Sequence, residues 1–303
     1  MDNELIQIKD IVNMEVSSIA FSPKKLYLAV CCKPEAGKKN LFILDREMKI
    51  VAEHAWIGTS TDGCNNITWA NDEKYMARKE SAGSKELFVY EVAVSLQEDI
   101  GSLTVEKRIN NFEMSPHGGD EEKPHFLVVG TCGGTSSLTR FYQLPNLEKE
   151  KFKNLSKGGQ EINFVFAPNG HAVIIWASFD VDNTGENYYG QHDLRYVQLG
   201  GGNKRSKVAV FDTQVSDVAW SPDSADFIVI SGKQPAVCTL YNNNCIPIFE
   251  FGRIHANTIR YSPFSNLVLL GGFGNLVGGI QIWNKDNFKL IGKNKAHCTV
   301  LCE

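Results

Sequence analysis

The sequence is short of the features that mark most reaction centres. Its eight cysteines, at 31, 32, 64, 132, 238, 245, 298 and 302, include no Cys-x-x-Cys pair. That spacing excludes the usual paired-thiol zinc and redox motifs, and it reads as reduced thiols in a cytosolic protein. No His-Glu-x-x-His and no Gly-x-Ser-x-Gly occurs, so neither the zinc-protease helix nor the hydrolase nucleophile elbow is present. No apolar run reaches the length of a membrane helix. The opening MDNELIQIKD has no basic segment followed by an apolar one, so no secretory signal is read there. An excess of positive charge is missing too. Lys plus Arg number 31 against 35 Asp plus Glu, for a formal net charge of −4. The chain as a whole is therefore not an electrostatic nucleic-acid binder, and RNA contact would need a local basic patch.

Short strands and turns are abundant. The clearest unit is Ser216 to Phe251, SDVAWSPDSADFIVISGKQPAVCTLYNNNCIPIFEF. It reads as four strands of four to eight residues, divided by Ser221-Pro222-Asp223, Gly232 to Pro235 and Asn242 to Asn244. An aromatic residue followed by a turn recurs along the chain. Copies stand at Phe21-Ser22-Pro23, Trp69-Ala70-Asn71-Asp72, Phe166-Ala167-Pro168-Asn169, Trp220-Ser221-Pro222-Asp223 and Tyr261-Ser262-Pro263, with a looser one ending at Met114-Ser115-Pro116. The steps between anchors at 21, 69, 114, 166, 220 and 261 are 48, 45, 52, 54 and 41 residues. A strand-rich repeat of that length is the mark of a propeller blade. A β-sandwich explains the strands but imposes no long period.

The fold expected is all-β: a WD40-like β-propeller of about six complete blades with partial terminal strands. Residues 1–15 are expected to hold part of a preceding blade, with a strand at 4–8. The blades occupy 16–292, and 293–303 begin a further one. The leftover ends amount to at most half a blade, so an incomplete copy of a larger ring is expected rather than a closed six-bladed one. Leu147 to Lys153, LEKEKFK, reads as a solvated connector, and Gly200 to Lys207 as a glycine-rich basic turn.

Two loops invite chemistry and fail on composition. Ser178 to Gln191 offers Asp180, Asp182 and Gly185, but Gln191 stands where a calcium loop needs a bidentate glutamate. Gly271 to Gly279 is glycine-rich yet lacks the Gly-Lys-Ser/Thr ending of a triphosphate loop. A hairpin using positive φ fits it better. Neither supplies a cofactor site, and no catalytic constellation is evident, so no enzyme activity is expected. Among the basic clusters, Lys204, Arg205 and Lys207, with Lys38 and Lys39, are the candidates for RNA or ribosome contact, because they fall in expected turns.

Specific residues resemble the propeller part of the eukaryotic translation initiation factor 2A family. They are Ser178 to Gly190 (SFDVDNTGENYYG), Arg140 to Asn146 (RFYQLPN), Phe249-Glu250-Phe251-Gly252, Gly271 to Leu276 (GGFGNL), Gln281-Ile282-Trp283 and Phe288 to Ile291. The matches keep the family's order over about 15–292. The resemblance implies a nine-bladed parent ring, of which this chain lacks blades at both ends and a basic tail. It also implies a cytoplasmic, non-enzymatic factor whose partners are the small ribosomal subunit, initiator methionyl-tRNA, mRNA and other initiation factors, with no membrane and no cofactor. The alternative is a generic propeller scaffold for protein–protein contacts, such as a subunit of a larger initiation complex.

Overall fold

The computed structural model describes residues 8–57, 63–116, 124–134, 136–157, 159–178, 192–199, 205–211, 214–276 and 279–295. A short helix, α1 (Ile8–Val12), precedes the strands. The first sheet is β1 (Val16–Phe21), β2 (Leu28–Cys32), β3 (Leu41–Leu44) and β4 (Ile50–His54). The second is β5 (Ile67–Trp69), β6 (Tyr75–Arg78), β7 (Glu86–Glu91) and β8 (Gly101–Thr104). The third is β9 (Ile109–Met114), β10 (Phe126–Gly133), β11 (Ser136–Gln143) and β12 (Phe152–Lys157). The fourth is β13 (Glu161–Phe166), β14 (Ala172–Ser178), β15 (His192–Gln198) and β16 (Arg205–Phe211). The fifth is β17 (Val215–Trp220), β18 (Asp226–Ser231), β19 (Ala236–Asn242) and β20 (Pro247–Ile254). The sixth is β21 (Thr258–Tyr261), β22 (Leu267–Gly272), β23 (Gly279–Asn284) and β24 (Lys289–Lys295). Each sheet is a four-stranded meander in chain order. This is the all-β, blade-by-blade architecture expected from the repeat.

The chain divides into two compact units, 1–131 with 139–154, and 132–138 with 155–303. The first contains the first two sheets and most of the third; the second contains the fourth, fifth and sixth. In both units the second strand of each blade is the most apolar. β2, β6 and β18 are buried at every position. A strand covered on both faces has no polar side to show, so it reads as a continuous run instead of an alternating one. One core lies between the first and second sheets (Ala29, Cys31, Ile43, Met76, Tyr90). Others join the second to the third (Leu87, Val89, Leu127, Val129), the fourth to the fifth (Ile174, Leu194, Trp220, Phe227), and the fifth to the sixth (Ile228, Ile230, Phe251, Leu270). Each buried Val, Leu, Ile, Phe or Met among them contributes about 1.5–3 kcal/mol.

The aromatic-turn anchors share one backbone geometry. Four residues after the anchor, φ is positive: 58° at Lys25, 59° at Glu73, 70° at Gly170, 60° at Ser224 and 60° at Ser265. In each, that residue's amide bonds the carbonyl three residues back, as in Ser224 N to Ser221 O at 2.8 Å and Glu73 N to Ala70 O at 2.8 Å. Left-handed backbone at a residue with a side chain costs about 1–2 kcal/mol. The side chain gives something back. Ser224 Oγ accepts the Asn169 amide of the preceding blade at 3.0 Å, Ser265 Oγ accepts the Asp223 amide at 3.1 Å, and Glu73 Oε1 accepts the Lys24 amide at 2.6 Å. The strained residue of one blade thus caps the turn of the blade before it.

Four expectations need correction. Ile8 lies in a helix, packed with Val12 and Met14 on β2 and β3; the rest of the strand expected at 4–8 lies outside the described residues. The charged stretch 147–153 is not wholly a connector, because β12 begins at Phe152, which is buried and stacks on Phe141 at 4.3 Å. β16 starts at Arg205, so Arg205 and Lys207 belong to a strand, pairing with Val197 and Arg195. The sixth blade runs on through Lys295, past the boundary expected at 292.

The blade-to-blade cap is open to test. Ser224→Ala keeps the strained backbone and leaves the Asn169 amide unpaired, so a loss of about 1–2 kcal/mol is expected. Ser224→Gly also loses the cap but relieves the backbone, so a smaller loss is expected. Urea midpoints of the two variants against the parent check both the loss and its order.

Candidate docking site

Meander topology sorts the connections. Loops between strands 1 and 2 and between 3 and 4 leave one end of a sheet. The 2–3 loop and the link to the next blade leave the other. Lys38 and Lys39 lie in the 2–3 loop of the first sheet, both exposed, with Lys38 paired to Glu35 at 2.6 Å. Arg205 begins β16 and so sits at the 3–4 end of its own sheet; Lys207 lies two residues along the same strand. Lys204 is outside the described residues. The structure therefore does not bring the predicted basic residues together as a single loop class, and the two clusters fall in different compact units.

The tyrosine-rich loop, with Asp180 and Asp182, lies outside the described residues, but its base is described. Ser178 and His192 face each other across β14 and β15. Trp176 Nε1 donates to His192 Nδ1 at 2.9 Å, and Arg195 makes a two-pronged contact to buried Asp193 at 2.8 and 2.9 Å. Sequence spacing showed the loop and not this anchor, because its partners stand 16 residues apart.

The best-formed concavity is at the 2–3 end of the fifth and sixth sheets. It encloses about 500 Å³ and is bounded by Gln234, Ile254, His255, Leu276, Ile280 and Lys293, among others. Part of its wall is the GGFGNL segment. Asn257 fixes that segment by two side-chain bonds, accepting the Phe273 amide at 3.0 Å and donating to the Phe273 carbonyl at 3.1 Å. A Cβ at Gly272 would collide with the His255 carbonyl, and one at Gly271 with the Phe273 ring. Gly274 turns the chain at φ 66°, which is the positive-φ hairpin expected from composition.

At the opposite end of the same two sheets, Asp226 is committed to structure. It accepts Tyr261 Oη at 3.1 Å and Lys285 Nζ at 2.6 Å. Burial, joined by the Asp226 charge, pushes the Tyr261 hydroxyl far up, so it stays a donor. Among the described residues no three His, Cys, Asp or Glu side chains gather as a metal cluster, and no helix is long and apolar enough to cross a membrane. Among the described residues Cys31, Cys32, Cys64, Cys132, Cys238 and Cys245 form no disulfide. Burial pushes Cys64 and Cys32 to about 11 and Cys238 to about 12, where a thiol is a packing group and not a nucleophile.

Six four-stranded meanders in succession define a WD40-like β-propeller chain. Comparison with known proteins names the relatives. A sequence model of the family "Eukaryotic translation initiation factor eIF2A" matches residues 153–303. Eukaryotic translation initiation factor 2A of Dictyostelium discoideum is 28% identical over 300 residues, covering 95% of this chain and 47% of that protein. The Drosophila melanogaster protein of that name is 27% identical over 296 residues, covering 94% and 45%. A crystal structure of a eukaryotic initiation factor shares the fold at a TM-score of 0.74 and 24% identity, over 92% of this chain and 66% of that one. The chain is similar to proteins named eukaryotic translation initiation factor 2A. It spans about half the length of the curated relatives it matches.

Two buried titratable groups in the first unit give opposite pH signatures. Burial pushes the Glu113 carboxyl up to about 7, with the Asn111 hydrogen bond working against it. Its folded value exceeds the unfolded one, so its contribution is full at low pH and is lost as pH rises from about 4.5 through 7. Burial, helped by the Arg78 charge, lowers His54 to about 4. The unfolded imidazole holds the proton more tightly, so stability is lost as pH falls from about 6.5 to 4. Glu113→Gln should be more stable than the parent at pH 8 and equal to it near pH 4. Melting temperatures across that range decide, and a difference independent of pH contradicts the assignment.

Proposed function

We propose that this chain acts in translation initiation as a non-enzymatic docking module in the cytoplasm. It binds the small ribosomal subunit and assists delivery of initiator methionyl-tRNA, alongside mRNA and other initiation factors. The observation that carries the reading is relatedness to proteins named eukaryotic translation initiation factor 2A along 94–95% of the chain. Blade architecture supports it physically. Rigid four-stranded sheets hold their connecting loops in fixed positions, and the chain's described chemistry is spent on packing, caps and ion pairs.

Contact with ribosomal RNA is assigned to Lys38 and Lys39, and to Lys204, Arg205 and Lys207. Lys38 and Lys39 stand on an exposed loop, where desolvation costs little. With a net charge of −4, the rest of the surface opposes non-specific RNA binding, so these residues are expected to dominate the salt dependence. Co-sedimentation with purified small ribosomal subunits across a potassium series tests the reading. Binding that weakens steeply with salt is expected. Lys38→Glu with Lys39→Glu should flatten the log–log slope by about 1.5, at roughly 0.7–0.9 per lost phosphate contact. Absence of co-sedimentation at the lowest salt would overturn the ribosomal reading.

A further inference from the structure

The groove between the fifth and sixth sheets has a composition that suits one ligand class. Its apolar wall is Ile254, Leu276 and Ile280. Gln234, Asn275, Gln281 and Asn294 bring carboxamides, and among the described residues Lys293 and His255 are the only ionisable groups and no carboxylate lines it. Lys293 is exposed and makes no ion pair among the described residues. The strand that carries it, β24, has the sequence Lys-Leu-Ile-Gly-Lys-Asn-Lys and bears no acid.

Two of the carboxamides, Gln234 and Gln281, have one end committed. Gln234 Nε2 donates to Ala256 O at 2.7 Å, which leaves its oxygen to accept. Gln281 Oε1 accepts Trp283 Nε1 at 3.1 Å, which leaves its NH₂ to donate. An acceptor on Gln234 and a donor on Gln281, both lining the groove, match the alternating amide and carbonyl groups of extended backbone. A volume of about 500 Å³ is in the range of small ligand pockets and takes a large aliphatic side chain with its neighbours. Lys293 pairs with Gln281 across β23 and β24, which places the cation beside the same wall. RNA is the poorer fit, because phosphates would meet one lysine while three aliphatic side chains stayed uncovered.

We infer that this groove binds an extended peptide carrying a large aliphatic residue next to an aspartate or glutamate. The aliphatic side chain fills the space between Ile254, Leu276 and Ile280; the carboxylate pairs with Lys293; Gln234 and Gln281 hold the peptide backbone. The site is independent of the basic residues assigned to RNA, so loss of ribosome binding leaves it untouched.

The test is selection of a random heptapeptide display library on the chain, on Lys293→Glu and on Ile280→Lys, each first shown to melt like the parent. Ile280 is half-buried and outside the packed cores, so its replacement bears on the groove more than on folding. The parent should enrich peptides with Leu, Ile or Met within two residues of Asp or Glu. Lys293→Glu should bind a selected peptide at least tenfold more weakly and enrich Lys or Arg in place of the acid. Ile280→Lys should lose the aliphatic preference. No enrichment, a consensus without the acid, or identical consensus on parent and variants would overturn the proposal. So would a single-stranded oligonucleotide that displaces the peptide, or self-association abolished by Ile280→Lys, since these would seat RNA or a second copy in the groove.

Discussion

The structure depends on covering both faces of each blade's second strand. A four-stranded meander with Ile228, Val229 and Ile230 in a row cannot leave either face in water. Each blade therefore needs a neighbour on each side, and the repeat follows from that need. The paired cores within each unit are the result. Turn chemistry is subordinate to it. Ser224 and Ser265 accept positive φ because the position lets a short hydroxyl reach the neighbouring blade's amide.

This arrangement also separates stability from recognition. Two buried carboxylates are consumed internally: Asp226 by Tyr261 and Lys285, Asp193 by Arg195. The 2–3 ends bear the charged segment with Lys38 and Lys39 and the glycine-rich wall of the groove. A chain built this way offers fixed positions for contact, consistent with its relatives among initiation factors.

Much of the fold was legible from residues alone. Proline-bounded turns and continuous apolar runs such as Phe227 to Ser231 located the first and second strands to within a few positions. Fourth strands were harder to read. β12 opens at the last two residues of LEKEKFK and β16 within the basic run KRSK, because a strand at a sheet edge tolerates lysine, which weakens the apolar signal. Only Phe152, stacked on Phe141, betrays the first of these. The groove was illegible for a different reason. Its walls come from 234, 254–255, 275–276, 279–281 and 293–294, and no local pattern records which of them meet. Basic residues were visible as charge, but their assignment to turns failed where Arg205 and Lys207 entered a pairing strand.

The central claim is that rigid blades present loops for docking on the translation machinery. Amide hydrogen exchange on the chain, free and with small ribosomal subunits, tests it most directly. The account predicts that β2, β6 and β18 are already strongly protected in the free chain and unchanged on binding. New protection should appear in loops such as 33–40. Fast exchange in those second strands, or subunit-induced protection confined to them, would contradict it.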